Sequence, residues 1–239
     1  MLPTMESVGF TAFDEKRVLT TTADQTKSLP VRAGTALGGR AKRVIDLLIA
    51  AVALLALSPL LILVALAVRV SSPGSALYGH VRIGHAGHTF KCWKFRTMVS
   101  DGDVLLERYL AAHPEEREEW VKNRKLRRDP RVTRIGAVLR AYSVDELPQI
   151  FNVLLGEMSL VGPRPVVRDE LEMYGAAARH YLHSRPGITG LWQVSGRSDT
   201  SYEQRVSFDT KYVLNWSLAG DLAIMARTIP AVLFAKGSY

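Results

Sequence analysis

Asp145 and Glu146 stand side by side in Ser143-Val144-Asp145-Glu146-Leu147-Pro148-Gln149. Two adjacent anions repel each other unless a cation joins them. Mg²⁺ binds through one or two carboxylates plus substrate phosphates, so it fits such a pair. Ser143 and Glu146 have capping-box spacing. Asp145 is the alternative cap, which places Pro148 in the tolerated first turn. Either way both carboxylates fall in a first helical turn, where the helix dipole favours their ionised forms. Acidic residues also favour helix starts for purely structural reasons, so spacing alone leaves both readings open.

Several basic groups could serve phosphates around that pair. In Gly162-Pro163-Arg164-Pro165 two prolines stiffen the backbone and fix the direction of Arg164, an arrangement suited to bidentate phosphate binding or to a rigid surface loop. Arg185-Pro186-Gly187-Ile188-Thr189-Gly190, followed by Ser195-Gly196-Arg197, is glycine-rich and basic. Glycines allow close backbone approach to a ligand, and Arg185 and Arg197 could meet phosphates. The Walker pattern GxxxxGK[ST] is absent from the chain. Lys91 to Thr97 alternates basic with bulky side chains, Lys94 and Arg96 among them, and reads as a strand with one wet face or as a ligand surface. His180 and His183 lie three apart without a cysteine or an HExxH motif, which argues against zinc. Cys92, the only cysteine, reads as a core residue and excludes an intrachain disulfide, in keeping with a reducing compartment.

These groups need a scaffold. The chain has 239 residues, 47% hydrophobic, and a net charge of +8. Residues 1–39 hold four basic and four acidic side chains, lack an apolar stretch and read as a flexible tail; the whole positive excess sits beyond them. Such a basic body points to an anionic partner: a phosphorylated substrate, a lipid surface or nucleic acid. Between Arg43 and Arg69 lie 25 residues broken in apolar character only by Asp46, Ser58 and Pro59. As one helix they reach about 37 Å, enough to cross a hydrocarbon core of roughly 30 Å. Pro59 kinks a helix, Ser58 can bond a freed carbonyl, and basic residues flank both ends, which suits re-entry on one face. Asp46 is spaced to pair with Lys42 or Arg43.

Beyond the turn at Ser71-Ser72-Pro73-Gly74, the pattern predicts short strands at Leu77-Tyr78 and Thr89–Phe95 around a glycine turn. Asp101–Lys125 reads as helix interrupted near Pro114, with seven basic residues from Lys122 to Arg134 suited to solvent or anionic headgroups. Arg134–Arg140 continues as a short helix or turn. Tyr202–Phe234 reads as amphipathic helices, with Tyr212, Trp216 and Phe234 either in the core or at a membrane interface.

As an ordered set these segments resemble the bacterial sugar transferase family, the small monotopic phosphoglycosyl transferases. The set runs Lys42-Arg43-x-x-Asp46, Ser58-Pro59, Lys94-Phe95-Arg96-Thr97-Met98, Asp129-Pro130-Arg131-Val132-Thr133, then Arg140 with Asp145-Glu146-Leu147-Pro148-Gln149, and the Arg164 and Arg185 motifs. The resemblance covers roughly residues 40–239. It implies an α+β, mostly helical fold: a re-entrant helix–break–helix hairpin over 40–70, broken at Ser58-Pro59, then a cytoplasmic catalytic domain over 71–239 with short strands and amphipathic interfacial helices. It implies that Asp145 attacks the β-phosphate of a UDP-hexose, expels UMP and holds the sugar phosphate until undecaprenyl phosphate takes it. Glu146 would bind Mg²⁺, and Arg140, Arg164, Lys94, Arg96 and Arg185 would bind phosphates. The implied location is the cytoplasmic face of a bacterial inner membrane, in contact with membrane lipid and downstream glycosyltransferases, with a homodimer admissible and no nucleic acid. The closing Thr228-Ile229-Pro230-Ala231-Val232 and Gly237-Ser238-Tyr239 resemble exopolysaccharide-producing members, which implies galactose first and glucose next.

Two other readings compete. A membrane-anchored protein without enzymatic activity would use the Lys122–Arg134 face on lipid or nucleic acid and tolerate loss of Asp145. A transferase without a covalent step would let the lipid phosphate attack the donor directly.

Overall fold

The computed structural model describes residues 34–123, 126, 128–196 and 200–233. Residues 1–33 of the expected tail, parts of the Lys122–Arg134 run, Arg197, Phe234 and the closing Gly237-Ser238-Tyr239 lie outside the described residues.

The apolar segment forms α1, Gly39–Ser71. The expected helix–break–helix hairpin is instead one continuous helix with Pro59 inside it. Pro59 has no N–H for the carbonyl of Leu55 four residues back. The Ser58 hydroxyl donates to that carbonyl at 2.9 Å, so the lost bond is replaced locally. One stripe of α1 packs against the rest of the protein along its whole length: Lys42, Asp46, Ala50, Leu61, Val64 and Val68 are buried. The opposite side leaves Val44, Leu48, Val52, Leu55, Ile62, Leu63, Leu66 and Val70 exposed. The helix is long and apolar enough to cross a membrane.

A hairpin follows, β1 (Leu77–Ile83) and β2 (Thr89–Phe95), paired antiparallel with Tyr78 opposite Lys94 and Arg82 opposite Phe90. Helices α2 (Gly102–Ala112) and α3 (Pro114–Asn123) meet at Pro114, as the sequence predicts. A tight Asp129–Arg131 clamp, 2.9 and 2.7 Å, then shapes the turn into α4 (Arg134–Ala141). Thr133 caps α4 by accepting from the Gly136 N–H at 2.9 Å. A Cβ on Gly136 would collide with the Thr97 carbonyl, so this glycine lets α4 sit directly on the segment after β2.

Next come a 3₁₀ turn, Val144–Glu146, then α5 (Gln149–Leu155) and the short strand β3 (Ser159–Val161). Short helices α6 (Arg168–Glu172) and α7 (Ala178–Leu182) lead to β4 (Gly187–Thr189), which pairs parallel with β3. Helices α8 (Leu191–Ser195), α9 (Tyr202–Leu214) and α10 (Leu218–Leu233) complete the described chain. A reciprocal Ser201–Gln204 capping box starts α9. The fold is therefore α+β and mostly helical, as expected.

Among the described residues, three clusters of the core bear on the site. Ala50 of α1 meets Phe90 and Cys92 of β2 and Ile150 and Val153 of α5. Leu61, Val64 and Val68 meet Phe95 and Leu139. Val161, Tyr212, Val213 and Ile224 form the third, with Trp216 partly buried against them. Tyr212 and Trp216 thus belong to the core.

The root of α1 departs from the expected local pairing. Asp46 accepts from Ser159 Oγ at 2.8 Å and from the Leu160 N–H at 3.1 Å. Lys42 reaches Asp221 of α10 at 2.5 Å. Arg43 donates to the carbonyls of Val153 and Leu154 at the C-terminal end of α5, where a cation complements the helix dipole.

Candidate active site

The 3₁₀ turn that carries Asp145 and Glu146 follows Ser143, whose φ of 54° lies in the left-handed region. A non-glycine residue there is strained by about 1 kcal/mol or more. Neither Ser143 nor Asp145 makes a side-chain cap, and α5 begins only at Gln149, after Pro148. The expected capping box is absent because the chain turns tightly before the helix starts.

Two devices bring this turn to β2. Asn152 of α5, 0% exposed, accepts from the Trp93 N–H at 3.0 Å and donates to the Lys91 carbonyl at 2.7 Å. The α5 helix is thereby pinned to the strand edge. Across that seam Lys94 Nζ meets Glu146 Oε1 at 2.5 Å. On the other side of the turn, Arg140 of α4 donates from Nε to Thr97 Oγ1 at 2.8 Å and lies close enough to Asp145 to favour its charge.

The two carboxylates are pushed in opposite directions. Burial drives Asp145, 8% exposed, up to about 6, helped by Glu146 and opposed by Lys94 and Arg140. This reverses the expectation that a helix dipole would favour ionised Asp145, because no α-helix begins at that residue. Burial also works against the charge on Glu146, but Lys94, Arg164 and Arg82 outweigh it and hold Glu146 below the usual carboxylate range. Neighbouring acids tuned apart in this way are a mark of functional sites.

Arg82, Lys94, Glu146, Gln149 and Arg164 line one pocket, with Cys92, Pro165, Ile188 and Gln193. Asp145 adjoins it through Glu146. The Arg164 guanidinium stands 5.5 Å from the Trp192 ring centroid, and Arg205 lies 4.5 Å over the same ring. Three cations about one carboxylate make this pocket suited to a diphosphate. Glu146 Oε1 is taken by Lys94, while Oε2 has no hydrogen bond among the described residues. An ionised, partly exposed carboxylate with a free oxygen fits a hard cation that draws its other ligands from phosphates and water. Among the described residues, no group of three or more His, Cys, Asp or Glu side chains forms a closed metal cage.

Of the expected phosphate ligands, Lys94, Arg140 and Arg164 lie at or beside the pair. Arg96 and Arg185 are placed elsewhere. The Arg96 guanidinium grips the carbonyls of Ser72 and Pro73 and the Ser100 hydroxyl, tying down the end of α1. Arg185 donates to the Gly156 carbonyl at 2.8 Å, next to Arg43 at the end of α5. The glycines of its motif serve packing: a Cβ on Gly187 would strike the backbone of Gly162. That backbone-to-backbone fit aligns β3 with β4 and delivers Pro163-Arg164-Pro165 to the pocket. His180 is half-buried and His183 is exposed. Cys92 is buried, and its thiol is pushed up to about 11.

The sequence reading missed Arg82 and Gln149. Arg82 shares a strand face with Lys94 through the hairpin register, and its Nη1 donates to Glu170 at 3.2 Å. Alternation gives the parity of Arg82, but only the strand pairing shows that it shares a face with Lys94.

One fold thus combines a helix long and apolar enough to cross a membrane with a cationic, carboxylate-bearing pocket suited to phosphate groups. Residues 38–235 match the bacterial sugar transferase family, and the chain belongs to it. It is 60% identical over 203 residues to the exopolysaccharide production protein ExoY of Rhizobium meliloti (strain 1021), covering 85% of this chain and 90% of that one. It is 49% identical over 198 residues to the undecaprenyl-phosphate galactose phosphotransferase of Salmonella typhimurium, covering 83% of this chain and 41% of that one. Over 208 residues it is 41% identical to a UDP-glucose:undecaprenyl-phosphate glucose-1-phosphate transferase of Caulobacter vibrioides, covering 83% and 72%.

Proposed function

We propose that this protein transfers a hexose 1-phosphate from a UDP-hexose to undecaprenyl phosphate and releases UMP, as the first membrane step of an exopolysaccharide pathway. The observation that carries this reading is the pair of opposed carboxylates at a pocket lined by Arg82, Lys94 and Arg164. The Salmonella and Caulobacter relatives are named for transfer involving galactose or glucose and undecaprenyl phosphate. Galactose is the favoured hexose, because identity to the galactose phosphotransferase, 49%, exceeds that to the glucose-1-phosphate transferase, 41%.

In the first step an Asp145 oxygen bonds to the β-phosphorus and the bond to the UMP oxygen breaks, leaving the sugar phosphate on Asp145 as an acyl phosphate. In the second, an oxygen of the lipid phosphate bonds to that phosphorus and the Asp145 carboxylate leaves. Splitting one displacement into two is the usual benefit of a covalent nucleophile. A pKa near 6 leaves Asp145 mostly ionised at neutral pH while burial keeps it poorly solvated, which favours attack. Arg82, Lys94 and Arg164 bind and orient the diphosphate. Glu146 is the residue to hold Mg²⁺, which when bound neutralises charge on the diphosphate.

The course of α1 supports a one-sided membrane placement. Its root at Lys42 and Asp46 and its far end at Val68 and Ser72 both pack on the same body. A span perpendicular to the bilayer would separate its ends by roughly 30 Å of hydrocarbon. We infer that α1 enters and leaves on one face, the cytoplasmic one, with its exposed apolar side in lipid. Single cysteines at Arg40 and Ser75 should both react with an impermeant reagent from the cytoplasmic side only; opposite reactivities would overturn the topology. For the activity, purified protein in detergent with Mg²⁺ and undecaprenyl phosphate should release UMP from UDP-galactose or UDP-glucose. The faster donor names the sugar, and no UMP from any UDP-hexose would defeat the reading.

A further inference from the structure

Gln149 opens α5, is 2% exposed, and lines the pocket with Arg82, Lys94, Glu146 and Arg164. Its Oε1 is buried and has no hydrogen-bond partner. Burying an amide oxygen without a donor is unfavourable, and such groups are rare in folded proteins. Packing in α5 does not force this state. Asn152, one turn along, is equally buried and bonds to Lys91, Trp93 and Glu157. The cations around Gln149 have N–H groups but direct them elsewhere. Lys94 holds Glu146, Arg82 holds Glu170 and His80, and Arg164 lies over Trp192.

An acceptor held unpartnered in a substrate pocket calls for a donor on the ligand. Ionised phosphate oxygens carry no proton and cannot donate to it. A sugar nucleotide does bring donors to either side of its diphosphate: the hydroxyls of the hexose and those of the ribose. We propose that Gln149 is a substrate-contact residue whose Oε1 accepts a hydrogen bond from a hydroxyl of the sugar-nucleotide donor. This rests on the transferase reading above and adds to it a group that recognises the sugar part of the donor rather than its charge.

The test uses Gln149→Leu, which keeps the shape and removes the acceptor, in the full-length enzyme in detergent. The free variant should hold or raise its Tm, since a buried polar atom without a partner is lost. Its kcat/KM for UDP-hexose should fall about tenfold, the usual worth of one such hydrogen bond. Both enzymes are then given deoxyhexose donors and donors built on 2′- or 3′-deoxyuridine. With the donor that lacks the contacted hydroxyl, the difference between wild type and variant should vanish, and that donor shows whether the contact is to hexose or ribose. A lowered Tm with the same loss on every donor would make Gln149 a structural residue and overturn the proposal, as would an unchanged kcat/KM. Wild-type inactivity with every donor would instead defeat the transferase reading itself, and the proposal with it.

Discussion

The buried charges at the root of α1 and those in the pocket beside the 3₁₀ turn are hydrogen-bonded in opposite ways. At the root of α1, every carboxylate oxygen is engaged. Asp221 Oδ2 receives Lys42 and the Trp216 indole N–H, its Oδ1 receives the Tyr212 hydroxyl, and both oxygens of Asp46 are bonded. In the pocket beside the 3₁₀ turn, Glu146 has one partner, Gln149 Oε1 has none, and burial pushes the Asp145 carboxyl up to about 6. A saturated network holds a helix in place; an unsaturated one waits for a ligand. The first fixes where α1 meets the body, and the second is where the proposed chemistry belongs.

The contrast can be broken most sharply at Asp145. Asp145→Asn should lower UMP release by roughly three orders of magnitude or more while leaving the fold intact. By linkage, burial raises this carboxyl above its unfolded value, so its ionisation costs stability as pH rises from about 4 through about 6. Asp145→Asn should therefore be at least as stable as wild type above pH 6. Lys42→Met should do the reverse: leaving Asp221 unpaired costs about 3–5 kcal/mol, seen as a lower unfolding midpoint, with residual kcat preserved in the molecules that remain folded.

Two smaller effects sharpen the comparison. The acid limb of kcat/KM should fall at an apparent pKa of about 6, since Asp145 must be ionised to attack. Lys94→Met should move that limb to higher pH, because Lys94 favours the Asp145 charge. An unmoved limb would mean that another group titrates. Smallest is Ser143→Gly, which relieves a left-handed φ of 54° and should change stability by under about 1 kcal/mol, measurable by chemical denaturation.

The sequence carried some of this architecture and not the rest. The Pro114 helix break, the Thr89–Phe95 strand and the mostly helical body follow from local pattern, because turn residues and alternation act over a few positions. The Ser58 bond to the Leu55 carbonyl follows from proline chemistry, although the helix continues where a break was expected. Residues whose partners are distant were misread. Lys42 and Asp46, four apart, seemed natural partners, yet each pairs more than a hundred residues away. Arg96 and Lys94 share a strand parity, but one ties a loop and the other meets Glu146. The glycines near Arg185 signal close approach in either case; only the β3–β4 pairing shows that the approaching group is Gly162.

The central claim is that Asp145 becomes covalently loaded. Enzyme mixed with UDP-hexose and Mg²⁺ in the absence of undecaprenyl phosphate should release a burst of UMP approaching one per active site and gain the mass of a hexose phosphate, both lost in Asp145→Asn. UMP that appears only when the lipid phosphate is added, with no mass gained by the protein, would contradict the account and favour direct attack by the lipid.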